Sequence, residues 1–184
     1  MVAGEIDAGR LVFVDEMGSN TALSPLYAWA RVGERAHAEA PRNRGKNTTT
    51  LLASMTDEGM GPCLAVLGGT TKAVFEAYVG RVLTPSLRPG QVVVMDNLAA
   101  HKGEKVRELI EGRGCEVLFL PPYSPDLNPI EEAFSKIKGL LGKAEGRTRG
   151  ALIEALGWAL DAVTAGDARG FFGHCGYRLP GQLL

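Results

Sequence analysis

Val92-Val93-Val94-Met95-Asp96-Asn97 is an unbroken apolar run closed by an acid and an amide. A run of β-branched residues this short, with no polar alternation, reads as a central strand buried on both faces. Leu11-Val12-Phe13-Val14-Asp15 repeats the design: four apolar residues, then an acid. Val117-Leu118-Phe119-Leu120 is a third such run, ending in Pro121-Pro122.

Around these three, residues 28–32, 48–55 and 63–67 read as further strands of a meander, with 18–20, 41–45 and 57–59 as connections. Helical spacing of apolar residues appears over 71–83 (Val74, Phe75, Tyr78, Val79, Val82) and over about 102–112 (Val106, Leu109, Ile110). It recurs from Asn128 onward (Ile130, Ala133, Phe134, Ile137, Leu141) and over about 149–165 (Leu152, Leu156, Leu160, Val163). From Gly166 the chain is glycine-rich and reads as irregular. Strands first, then alternating strand and helix, then helices, predicts a mixed α/β sheet covered by helices.

The 184 residues suit one domain, and 45% hydrophobic with 22% charged residues is a globular composition. No run approaches the roughly 20 apolar residues a bilayer requires, so no membrane partner is expected. Three widely spaced cysteines without a CxxC suit a reducing compartment and disfavour a structural zinc site. A net charge of -1 excludes a wholly basic wrap around nucleic acid but not local basic patches.

Two strands ending in Asp15 and Asp96 place carboxylates at the end of a sheet where α/β proteins bind ligands. If the strands are parallel neighbours, the acids stand about 5 Å apart. Either acid alone reads more simply as a turn residue; the pair together does not. A third acid comes from Asn128-Pro129-Ile130-Glu131-Glu132. Asn at the N-cap and Pro at the first helical position start a helix, and Glu131 has the bland reading of a capping-box acid. The helical wheel puts Glu131 beside the apolar stripe that faces the sheet. It turns Glu132 about 150° away, toward an exposed pairing with Lys136. Three carboxylates in one pocket repel, about 4 kcal/mol for a pair at 4 Å and an effective dielectric of 20. Shared protons or a cation must relieve this, and all-oxygen donors favour Mg²⁺ or Mn²⁺. A pair of such ions is one route to phosphodiester cleavage.

The stretch Pro121-Pro122-Tyr123-Ser124-Pro125-Asp126-Leu127-Asn128-Pro129-Ile130-Glu131 resembles the third-acid motif of DDE transposases of the mariner superfamily, its bacterial insertion-sequence branch above all. Asp96-Asn97 with His101 resembles the second-acid motif and Phe13-Val14-Asp15-Glu16 the first; 34 residues separate Asp96 from Glu131, the superfamily's gap. The tail Phe172-Gly173-His174-Cys175-Gly176-Tyr177 also resembles the end of such proteins.

The resemblance implies a ribonuclease H-like fold and a metal-dependent DNA nuclease and strand transferase. Asp15, Asp96 and Glu131 would be its catalytic residues and the ligands of two Mg²⁺ or Mn²⁺ ions. Its partners would be double-stranded DNA, as transposon ends and as target, within a paired complex and so a homodimer. A cytoplasmic, nucleoid-associated location goes with this. Members of the family carry helix-turn-helix modules before the first acid, and Asp15 stands too near Met1 to leave room for one. The expectation is a single catalytic domain over residues 1–184. End recognition would then come from an N-terminal segment encoded in another reading frame, or the chain would be a remnant or an excised piece.

Asn97 and His101 are candidates for supporting contacts at the second acid, although His101 equally suits a loop-orienting role. Residues 31–46 hold five basic and two acidic side chains, and residues 136–149 hold five and one. Arg42, Arg44, Lys46, Lys136 and Lys138 are the candidate phosphate contacts, against a simpler reading as solvated loop and helix face. Competing expectations are an inactive or domesticated remnant that only binds DNA or dimerises, and a nuclease of the same fold acting on hybrids or branched DNA.

Overall fold

The computed structural model describes residues 7–24, 30–35, 49–97 and 102–179. Its strands are β1 Leu11–Ser19, β2 Thr49–Thr56, β3 Gly59–Leu67, β4 Val92–Met95 and β5 Glu116–Phe119. Its helices are α1 Lys72–Tyr78, α2 Glu104–Glu111, α3 Pro129–Ala144, α4 Arg149–Asp161 and α5 Ala165–His174. A π-helical turn, Val79–Leu83, prolongs α1.

The five strands form one mixed sheet in the order β3-β2-β1-β4-β5. β1 to β3 are an antiparallel meander, and β4 and β5 run parallel to β1. Side chains alternate across the sheet, and the two faces feed two cores. Leu11, Phe13, Met17, Val92 and Val94 pack with Ile130, Phe134, Ile137 and Leu141 of α3, Leu152 and Leu156 of α4, and Phe172 of α5. Val12, Val14, Leu52, Val93 and Met95 pack with Phe75 and Tyr78 of α1 and Val106 and Ile110 of α2. A strand covered on both faces needs no polar alternation, which explains the unbroken runs at 11–14 and 92–95.

Four sequence expectations need correction. The run at 117–120 is not a central strand buried on both faces: among the described strands β5 stands at the sheet edge, and Val117, Leu118 and Phe119 are only half-buried. β1 does not end at Asp15 but continues to Ser19. Beyond Asp15 it pairs with β2 alone, from Glu16↔Leu52 to Ser19↔Thr49, and such a half-partnered stretch tolerates polar residues and glycine. Residues 30–32 form no strand; the remainder of the strand expected at 28–32 lies outside the described residues. The segment after Gly166 is a helix, α5, despite its glycines. A capping box starts it, Thr164 and Asp167 each bonding the other's backbone N–H, and Ala168 and Phe172 one turn apart are buried in the core. Among the described residues no helix is long and apolar enough to cross a membrane.

Candidate active site

Parallel pairing of β1 and β4 runs Leu11↔Val92 to Val14↔Met95. Asp15 and Asp96 are the next residues on each strand, so the register sets them side by side. Asp15 keeps the parity of Leu11 and Phe13, and Asp96 that of Val92 and Val94, which is the α3 face of the sheet. β4 stops at Met95, and the space beyond its end opens as a cavity of about 380 Å³. Asp15, Asp96, Asn97, Asn128 and Glu131 all line it, with the loop 120–125 as its outer wall. Glu132 does not line it, as the helical wheel indicated.

Asp15 is only 6% exposed. Its Oδ1 accepts from the Glu16 backbone N–H at 2.7 Å and its Oδ2 from the Asn128 Nδ2 at 2.8 Å. Burial pushes its carboxyl up to about 7; the charges of Glu131 and Asp96 push the same way, and the two hydrogen bonds oppose them. No lysine or arginine is among the described residues that line the cavity. The donors on offer are hard oxygens, which fits a divalent cation of the Mg²⁺ or Mn²⁺ type. Among the described residues no three His, Cys, Asp or Glu side chains are gathered into a set able to hold a metal ion.

Asn128 departs from expectation. It occupies the N-cap of α3, yet its side chain caps nothing; the Glu131 N–H bonds the Asn128 carbonyl at 3.1 Å instead. Its amide turns to Asp15, so no capping box forms with Glu131. In sequence Asn128 reads as a helix start alone, and Asn-Pro is common enough there to hide any other role. A second contact missed was Tyr177. Its hydroxyl donates to the Leu127 carbonyl at 2.7 Å, and its ring meets Phe13 of β1 edge-on at 5.2 Å.

The remaining candidates divide. Asn97 lines the cavity. His101, Arg42, Arg44 and Lys46 lie outside the described residues. Lys136 bonds Asp167 at 2.6 Å, and Glu132, expected to pair with Lys136, bonds His174 on α5. Packing of α5 on α3 supplies a partner that the sequence spacing alone could not. Lys138 stands exposed on α3.

The family model described as DDE superfamily endonuclease matches residues 10–153, a span holding all three acids. This chain belongs to the DDE superfamily endonucleases. No curated protein matches it by sequence. Among solved structures, this DDE superfamily member is similar to a Mos1 transposase paired-end complex with left transposon end (TM-score 0.76, 20% identity, 95% of this chain and 54% of that one). It is also similar to the catalytic domain of Mos1 mariner transposase (TM-score 0.67, 17% identity, 95% and 80%) and to a Mos1 mariner paired end complex with Mn (TM-score 0.70, 20% identity, 95% and 54%). These likenesses establish the ribonuclease H-like fold: a mixed five-stranded sheet flanked by helices. The chain spans about half the length of the Mos1 chains in those complexes.

Proposed function

We propose that this chain is the catalytic domain of a mariner-superfamily transposase of the bacterial insertion-sequence branch, cutting DNA at transposon ends and joining it to target DNA. The observation that carries the reading is the convergence of Asp15, Asp96 and Glu131, from three separate elements, on one cavity in a DDE superfamily endonuclease. Its partners are double-stranded DNA, a second copy of the chain in a paired complex, and an N-terminal DNA-binding segment. Its setting is the cytoplasm, at the nucleoid.

Asp15, Asp96 and Glu131 are the residues that would hold one or two divalent ions. When bound, such ions neutralise developing charge and lower the pKa of an attacking oxygen. Everything else falls to the chain. Water attacks the phosphorus, the bond to the 3′ oxygen breaks, and a 3′-hydroxyl and a 5′-phosphate result. That hydroxyl then attacks a target phosphodiester, displacing its 3′ oxygen, so no enzyme nucleophile is required. Asp15 must be ionised to take part, and its buried position makes that state dependent on the occupant of the cavity. Asn97, beside Asp96, is suited to steady the second acid by hydrogen bonding.

The test is nicking of supercoiled plasmid with Mn²⁺ or Mg²⁺. The wild-type chain nicks, chelation stops it, and Asp96→Asn nicks at under a hundredth of the rate with an unchanged circular dichroism spectrum. Equal nicking by Asp96→Asn overturns the site. A wild-type chain that binds DNA without cutting it favours the remnant reading.

A further inference from the structure

Asn128 is 5% exposed and 113 residues from Asp15 in sequence, yet its amide Nδ2 donates to the Asp15 Oδ2 at 2.8 Å. The bond crosses from α3 to β1. At the other carboxylate oxygen, the Glu16 N–H holds Oδ1 at 2.7 Å, so both oxygens of Asp15 are fixed by donors. Asn128 stands three residues before Glu131 and gives no cap to the helix it starts. Its own backbone is secured from behind. The preceding Leu127 carbonyl accepts from the buried Tyr177 hydroxyl, whose ring rests against Phe13 of β1, and the following Pro129 is buried. Two pins therefore join the start of α3 to β1, one of them directly on the first acid.

We propose that Asn128 is a positioning residue that braces the first acid, Asp15, against the start of the helix carrying the third, Glu131. The inference rests on the reading of these acids as holders of a divalent ion. A carboxylate free to turn must be ordered at the moment of ion binding, whereas one already held by an amide is presented in a single orientation. Partners that orient a ligand in this way are worth 10–100-fold in metal affinity or activity.

The test follows the thermal midpoint of the full chain as Mn²⁺ is added, without DNA and without an activity readout. Asn128→Ala removes the amide. Asn128→Ser puts another residue favoured at helix starts there, but its side chain is one bond shorter, with a hydroxyl in place of the amide. Both should need roughly 10-fold more Mn²⁺ for a half-maximal upshift, while Tyr177→Phe, which loosens only the rear pin, shifts that concentration less. Wild-type Mn²⁺ dependence in both Asn128 variants, or a tighter response, overturns the brace. So does a lower metal-free midpoint with an unchanged Mn²⁺ requirement, which marks a merely structural contact. A wild-type chain that does not respond to Mn²⁺, like Asp96→Asn, overturns the ion-binding reading and this inference together. A responsive wild type with equally responsive Asn128 variants overturns this inference alone.

Discussion

Asp15 couples the stability of the domain to pH. Its carboxyl rises from an ordinary 3.8 to about 7 on folding, chiefly through burial, with Glu131 and Asp96 adding to it. The folded state therefore binds a proton that the unfolded chain has already lost between those two values. Its contribution is full below pH 4 and disappears as the pH climbs through 7. A rise of that size corresponds to about 4 kcal/mol as an upper figure. His174, raised by its hydrogen bond to Glu132, also loses its contribution as the pH rises, above the ordinary histidine range, so the two must be separated. Urea denaturation without metal should show wild-type stability falling from pH 4 to 8 by more than that of Asp15→Asn, which retains only the His174 part. Saturating Mn²⁺ should cancel the fall, because the ion selects the ionised carboxylate. A wild type and Asp15→Asn with parallel pH profiles would refute the coupling. At this scale the three acids could be singled out from residue type and position, Asp15 and Asp96 because each follows an apolar run and Glu131 because it stands in the first turn of α3. Asn128 was not: its local role as a helix starter accounted for it fully, and its true partner is 113 residues away.

At the scale of elements, legibility followed burial. β4 and the first half of β1 are covered on both faces and could be read from their apolar runs. The second half of β1 has one neighbouring strand and polar residues, and it passed for a loop. α5 failed for a different reason. Gly166, Gly170 and Gly173 lower its intrinsic helicity by roughly 1 kcal/mol each relative to alanine, so tertiary contacts must sustain it. Those contacts are Phe172 edge-on to Phe13 at 5.3 Å, and Asp167, which serves both Thr164 and Lys136. Thr164→Ala should destabilise the domain by about 1 kcal/mol, and Phe172→Ala by about 3–5 kcal/mol, both read from chemical denaturation midpoints. An irregular tail would leave Thr164→Ala indistinguishable from wild type. Since α5 packs on α3 and Phe13 lies two residues from Asp15, these losses should also soften the acid cluster.

For the whole molecule the proposed function raises the question of how a chain of net charge -1 would hold a polyanion. Net charge cannot do it, so local excess must. Residues 136–149 carry a surplus of four positive charges, but part of it is already engaged. Lys136 is bound to Asp167, and Arg147 pairs with Glu145 and donates to the Leu23 carbonyl at 2.9 Å. Their removal should loosen α5 and the 20–24 segment more than it weakens binding. The surplus of three at 31–46 is concentrated in Arg42, Arg44 and Lys46. Each phosphate neutralised on duplex DNA adds about 0.9 to the slope of log affinity against log salt. If all three side chains grip phosphates, replacing them together with alanine should lower that slope by nearly 3 units. The affinity lost should be greatest at low salt and nearly independent of DNA sequence. Lys136→Ala supplies the contrast: an altered melting point with a slope close to wild type. Fluorescence anisotropy over 50–200 mM salt measures both. An unchanged slope for the triple variant would remove the 31–46 segment from the DNA interface. Exposed Lys138 and Lys143 on α3 would then be the next cations to neutralise.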